Sequence, residues 1–130
     1  MLRLAETALL VRDHDEALAF YVGILGFELI EDTRLATKRW VRIRAGGAGL
    51  VLRLATTEAQ LARVGNQTGG SVFLFIETDD FARTHAELTA HGVRFVEPPR
   101  EEAYGRVAVC LDLYGNKLDL IEPRGATARP

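Results

Sequence analysis

Two periodicities alternate along the chain, one of strands and one of helices. Thr7-Ala-Leu-Leu-Val11 reads as a strand. Asp13 and Glu16 then give a helix start, an N-cap followed three residues later by an acid. Ala17, Phe20, Tyr21, Ile24 and Leu25 form the i, i+3, i+4, i+7, i+8 stripe of a half-buried helix, and Gly26 suits its left-handed C-terminal turn. Residues 27–32, 39–44 and 49–55 read as three further strands, the last two joined through Gly46-Gly47. A short helix over 57–64 carries its own capping pair, Thr57 and Gln60, and a glycine-rich loop follows at 65–70. The first pattern then returns. Val72 to Glu77 is a strand, and a helix opened by Asp79-Asp80 runs through Phe81, His85 and Leu88 to Gly92. Strands follow at 93–97, stopped by Pro98-Pro99, at 106–111 and at 117–121, with the last hairpin turning at Gly115-Asn116.

The return is an internal duplication. "TALLVRDHDEALAFY" at 7–21 matches "VFLFIETDDFARTHA" at 72–86 in residue type, at an offset of 65, and "GLVLRL" at 49–54 matches "GNKLDL" at 115–120 at an offset of 66. A period this long excludes a solenoid and predicts two similar modules sharing one sheet surface. The fold class expected is α+β. One domain over 1–130 holds two tandem β-α-β-β-β modules, about 4–55 and 71–123, joined by the short helix and loop at 56–70. Residues 125–130 read as a disordered tail.

Strand alternation assigns faces. The helix-covered face is expected to take Leu9, Val11, Val41, Ile43, Leu50, Leu52 and Leu54, then Val72, Leu74, Ile76, Val107, Val109, Leu111, Leu118 and Leu120. The opposite face carries Glu6, Ala8, Leu10, Trp40, Arg42, Val51, Arg53, Ser71, Phe73, Phe75, Ala108, Cys110, Lys117 and Asp119. Aromatic and aliphatic walls with a few charges suit a small-molecule cavity and equally a dimer contact. Under the duplicated register Glu6 corresponds to Ser71 and Arg53 to Asp119, so a pseudo-twofold axis brings these four positions toward one point.

Composition narrows the possibilities. The chain has 130 residues, 48% hydrophobic and 26% charged, with a formal charge of −2 spread along its length. No basic patch indicates nucleic acid, and no apolar run approaches the roughly 20 residues of a membrane span. Residues 1–6 lack the long apolar segment of a secretory signal. Cys110 is the single cysteine, so a reducing cytoplasm is the expected setting. No histidine stands near it to activate a thiolate. The loop at 65–70 lacks the Gly-Lys-Ser/Thr ending of a phosphate loop and reads as a connector.

The architecture, with "LLVRDHDEALAFYVGILGFELIED" and "AVCLDLYGNKLDLIEP", resembles the vicinal oxygen chelate superfamily, which includes glyoxalase I, bleomycin-resistance proteins and extradiol dioxygenases. The likeness runs from about Leu4 to Pro123 and implies an open, cup-shaped mixed sheet with helices outside, and a homodimer. In metal-dependent members of the superfamily the ligands, two or more of them histidine, occupy the four positions that hold Glu6, Arg53, Ser71 and Asp119 in this chain. None is histidine. His14, His85 and His91 lie on or beside helices, with His14 expected in solvent. A divalent metal, if present, would rest on Glu6 and Asp119, but no cofactor is favoured, because Arg53 sets a permanent positive charge beside them. The arrangement expected instead is an ion-pair cluster, Glu6–Arg53–Asp119. Three functions follow. The first is a metal-independent binder or enzyme for a small organic molecule, anionic or aromatic. In it Arg53 and Arg42 hold an anion or carbonyl, Trp40, Ser71, Phe73 and Phe75 line the site, and Glu6 or Asp119 is the general base. The second is a metal-dependent lyase or dioxygenase with a degenerate carboxylate site. The third is a sequestering dimer without turnover.

Overall fold

The structure, a computed structural model, describes residues 1–125. Of the expected tail only Gly125 falls among them, and 126–130 lie outside the described residues. The chain divides after Val64 into two compact units.

Unit 1 runs β1 (Thr7–Val11), α1 (His14–Tyr21), β2 (Glu28–Arg34), β3 (Arg39–Ala45), β4 (Ala48–Leu54) and the short α2 (Glu58–Leu61). Its sheet has the order β1-β4-β3-β2, with β1 parallel to β4 and the other pairs antiparallel. Asp13 caps α1 by accepting from the Glu16 backbone N–H at 2.9 Å, and Gly26 takes the positive φ of +78° expected of it. Thr57 and Gln60 complete a reciprocal capping box on α2. Leu9, Val11, Val41, Ile43 and Leu52 are buried together with Ala17, Phe20 and Tyr21 of α1. Arg39 fixes the helix to the sheet. Its guanidinium forms a bidentate pair with Asp32 at 2.8 and 2.7 Å and reaches Asp15 of α1 at 2.9 Å. Hydrogen bonding to Arg39 holds the Asp32 carboxyl below its usual range.

Unit 2 repeats the plan with β5 (Val72–Glu77), α3 (Phe81–Ala90), β6 (Arg100–Glu102), β7 (Gly105–Leu111) and β8 (Lys117–Pro123), in the order β5-β8-β7-β6. Asp80 caps α3 through the Arg83 N–H. The helix ends in a Schellman turn, with Val93 N–H donating to Leu88 O and Gly92 N–H to Thr89 O, both at 3.0 Å. Phe81 and Leu88 of α3 are buried, as are Ala108, Cys110, Leu118 and Leu120. Among the described residues no helix is long and apolar enough to cross a membrane.

The structure corrects four of the expected features. The strand read at 93–97 is reduced to a single bridge, Phe95 to Cys110, and the edge strand β6 lies beyond the two prolines, whose missing N–H groups break the ladder. Leu54, assigned to the helix side, is 44% exposed at the end of β4. His14 is buried, not solvated, with Nε2 3.1 Å from the Leu52 carbonyl oxygen. The fourth correction concerns β7. Its partners on β8 are Ala108 with Leu120, Val109 with Asp119, Cys110 with Leu118 and Leu111 with Lys117. Directly opposed residues share a face. Ala108 and Cys110 therefore point to the helix side, and Val109 and Leu111 point away from it, the reverse of the expected assignment. A two-residue turn at Gly115-Asn116 would have opposed Leu111 to Leu120. The actual loop spans five residues, Asp112 to Asn116, and changes the parity of the pairing.

Candidate functional site

On unit 1, the sheet face away from α1 carries a charge cluster. Arg42 of β3 opposes Val51 of β4. Its Nη1 donates to Glu6 Oε1 at 2.5 Å and its Nε to Glu31 Oε1 at 3.0 Å. Glu31 reaches this face through a register shift in β2. Leu29 opposes Ile43, and after one extra residue it is Glu31 that opposes Arg42. Such a bulge re-aims a side chain, which strict alternation from the sequence misses. Glu6 lies against β4 at Gly49, where an added Cβ would meet Glu6 Oε2 at 2.6 Å and Ala5 O at 2.9 Å. Gly49 supplies the space for this carboxylate. The hydrogen bonds it donates, to Glu6 first and Glu31 second, raise the Arg42 guanidinium pKa above its ordinary range.

The expected cluster of Glu6 with Arg53 is thereby replaced. Glu6 belongs to Arg42. Arg53 is exposed, and no carboxylate of its own unit pairs with it. It opposes Leu10 on β1. Continuing the β3–β4 register one residue past Val41 and Leu52 sets the half-buried Trp40 across from it. One rung of this face thus reads Leu10, Arg53, Trp40.

The equivalent rung of unit 2 is Phe75, Asp119, Val109. Phe75 is 61% exposed and Asp119 is half-buried. Asp119 Oδ1 is buried and meets no hydrogen-bond donor among the described residues, although the residue makes other interactions. Ser71 is exposed. Phe73 is half-buried at a register shift between Val72 and Leu74 that leaves it outside the β5–β8 pairing. Lys117 is exposed beside Leu111 on the same face.

Behind this rung the sequence reading missed a buried support. The Asp112 Oδ1 accepts from the backbone N–H groups of Tyr114 at 2.8 Å and Asn116 at 2.9 Å, and its Oδ2 accepts from Asn116 Nδ2 at 2.9 Å. Asn116 Oδ1 in turn accepts from Gln67 N–H at 3.1 Å. An Asp four residues before an Asn, spanning a glycine turn, was the available signal. Gly65 packs on this loop, where a Cβ would lie 1.9 Å from Tyr114 O.

Other reactive groups lie apart from these rungs. Cys110 is on the helix side, and burial pushes its thiol up to about 11. His85 stacks with Phe81 and Phe95, at ring distances of 5.7 and 4.1 Å, and His91 Nδ1 contacts Glu87 O at 2.8 Å. Among the described residues no group of three or more His, Cys, Asp or Glu side chains is placed to hold a metal ion.

The profile of the Glyoxalase/Bleomycin resistance protein/Dioxygenase superfamily matches residues 3–120. The chain belongs to this superfamily. A protein of uncharacterised function from Shewanella frigidimarina (strain NCIMB 400) is 49% identical over 120 residues, 88% of this chain and 89% of that one. Among solved structures, UcmS2 is similar with a TM-score of 0.81 and 27% identity, covering 94% of this chain and 98% of its own. TnmS3, an antibiotic binding protein from Streptomyces sp. CB03234, gives a TM-score of 0.75 at 27% identity, over 95% and 98% of the two chains.

The metal that many members of the superfamily use does not fit the residues present. Of the four corresponding positions, Glu6 is held by Arg42, Arg53 is a permanent cation and Ser71 is a poor ligand for a transition metal. Asp119 alone is a weak anchor, and no chemical step is derived through a metal.

Proposed function

We propose that this protein binds a small organic molecule, anionic or aromatic, on the helix-free sheet faces, without a histidine-based metal site. The observation that carries this reading is Arg53, an exposed guanidinium with no carboxylate of its own unit on it, across from Trp40. A guanidinium in that state offers two parallel N–H groups to a carboxylate or carbonyl, and an indole beside it supplies a flat apolar contact. On unit 2, Phe73 and Phe75 offer an apolar wall and Ser71 a hydroxyl, and Asp119 is the candidate general base if a molecule bound there is turned over. Glu6 is the weaker candidate, since Arg42 already occupies it. That TnmS3 is an antibiotic binding protein supports binding as the primary activity, with sequestration as one form of it. A homodimer and a cytoplasmic setting complete the proposal.

The test uses Trp40, the only tryptophan, as the reporter. Titration with 2-naphthoate, an aromatic carboxylate, is expected to change its fluorescence. Arg53→Ala is expected to weaken that binding by about tenfold, the equivalent of one charge-assisted hydrogen bond. Undiminished affinity in Arg53→Ala would remove the anion-clamp role.

A further inference from the structure

The Glu6–Arg42–Glu31 cluster is more than a surface ion pair. Glu6 comes from the segment before β1, Arg42 from β3 and Glu31 from β2, so three separate stretches of chain converge on one guanidinium. Two local features exist to allow it. The register shift in β2 brings Glu31 opposite Arg42, and the missing Cβ of Gly49 leaves the space for Glu6. Arg42 is only 26% exposed, and Glu6 20%. Two carboxylates turned toward one centre on a sheet face are what a divalent cation would otherwise require. Here the centre is filled by an internal cation.

We propose that Arg42 is a resident cation that takes the place of a metal ion at Glu6, fixing Glu6 and Glu31 and making the face independent of metal. The guanidinium spends Nε on Glu31 and Nη1 on Glu6, so its Nη2 amino group is the part left to donate to a bound oxygen. The three charges sum to one negative, whereas Arg53 two residues along the neighbouring strand is positive. An anionic group is therefore directed to Arg53, and a neutral oxygen or a cationic group to the Arg42 end. Along a strand two residues span about 7 Å, which sets the separation of the two ends. This last point rests on the ligand-binding role proposed for the face. The metal substitution does not.

The test is calorimetric titration of the whole chain with Mn²⁺ and with Zn²⁺, after chelator treatment, in wild type, Arg42→Gln, Glu6→Gln and the Arg42→Gln/Glu6→Gln double variant. Wild type is expected to show no stoichiometric binding. Removing the guanidinium frees both carboxylates, and Arg42→Gln is expected to gain about tenfold or more in affinity for the cation, lost again in the double variant. Circular dichroism establishes that each variant is folded. Should Arg42→Gln fail to fold, the wild type decides: one equivalent of metal bound by wild type and lost in Glu6→Gln overturns the proposal, and its absence supports it. A folded Arg42→Gln without the gain also overturns it. No organic ligand enters this measurement, so it can fail while the Arg53 titration succeeds, and the reverse.

Discussion

The two units place the same backbone under different chemistry. In unit 1 the rung Leu10, Arg53, Trp40 sets a cation between an aliphatic and an indole, and in unit 2 the matching rung Phe75, Asp119, Val109 sets an acid between a phenyl ring and an aliphatic. The aromatic has moved from the third strand to the first, and the charge has changed sign. On the next rung Arg42 has Leu111 as its counterpart, and the position of Glu6 is taken by Ser71. Unit 1 therefore pairs three charged side chains with one another, while the matching rung of unit 2 sets Leu111 beside the exposed Lys117. Duplication has repeated the ladder, which backbone hydrogen bonds dictate, and not the side chains of the exposed face, which the helix-side core does not constrain. Recognition on such a scaffold depends on which rung a ligand meets.

The largest effect is expected where unit 2 differs from unit 1 in how its hairpin is closed. Unit 1 turns through Gly46-Gly47, whereas unit 2 turns on the buried Asp112 carboxylate and its three hydrogen bonds. Asp112→Ala removes all three and leaves the Tyr114 and Asn116 donors unsatisfied, a loss of about 3 kcal/mol or more. Urea unfolding measures it. A loss below about 1 kcal/mol would mean that the turn glycine alone sets the β7–β8 pairing, as in unit 1.

The Cys110 thiol gives a smaller, pH-dependent effect that probes the same register. Burial raises its folded-state pKa from 9.0 to about 11. A raised acid pKa means that the folded state retains a proton that the unfolded state has released. Its contribution to stability is complete below pH 9 and is lost as pH rises toward 11. The difference in stability between wild type and Cys110→Ala should shrink over that window, measured by chemical unfolding at each pH. In native protein at pH 8 a thiol reagent should react only on unfolding. Rapid labelling would return Cys110 to the exposed face, where simple alternation had put it.

Much of the fold was legible because local rules agreed with one another. The capping residues Asp13, Thr57 and Asp80, the glycine stops at 26 and 92, and the alternating pattern of β1 and β3 all sit where the sequence reading put them. The superfamily was legible in the same segments. The site was legible in part. Arg53 and Asp119 do occupy equivalent rungs, because β4 and β8 pair with β1 and β5 in the same way. Three features escaped, each set by contacts distant in sequence and not by local pattern. The parity of β7 was hidden because Val107 to Leu111 is apolar at every position. The partner of Glu6 was hidden by the shift in β2 that delivers Glu31, and the burial of His14 by a backbone carbonyl 38 residues away.

The smallest expected effect on stability separates the two rungs most cleanly. Phe75 is 61% exposed on β5, so Phe75→Ser removes little buried area and should leave unfolding within about 0.5 kcal/mol of wild type. Its effect on binding depends on whether the ligand uses unit 2 at all. A stacked aromatic contact contributes about 1 kcal/mol, so naphthoate affinity should fall by about fivefold if the phenyl ring touches the ligand. Arg53→Ala reports on the other rung. If Phe75→Ser and Arg53→Ala both weaken binding, the cation and the aromatic both contribute to recognition, and the asymmetry between the duplicated rungs is what selects the ligand. Unchanged affinity in Phe75→Ser would confine the site to Leu10, Arg53 and Trp40, and would assign the exposed Phe75 to another contact, such as the proposed dimer.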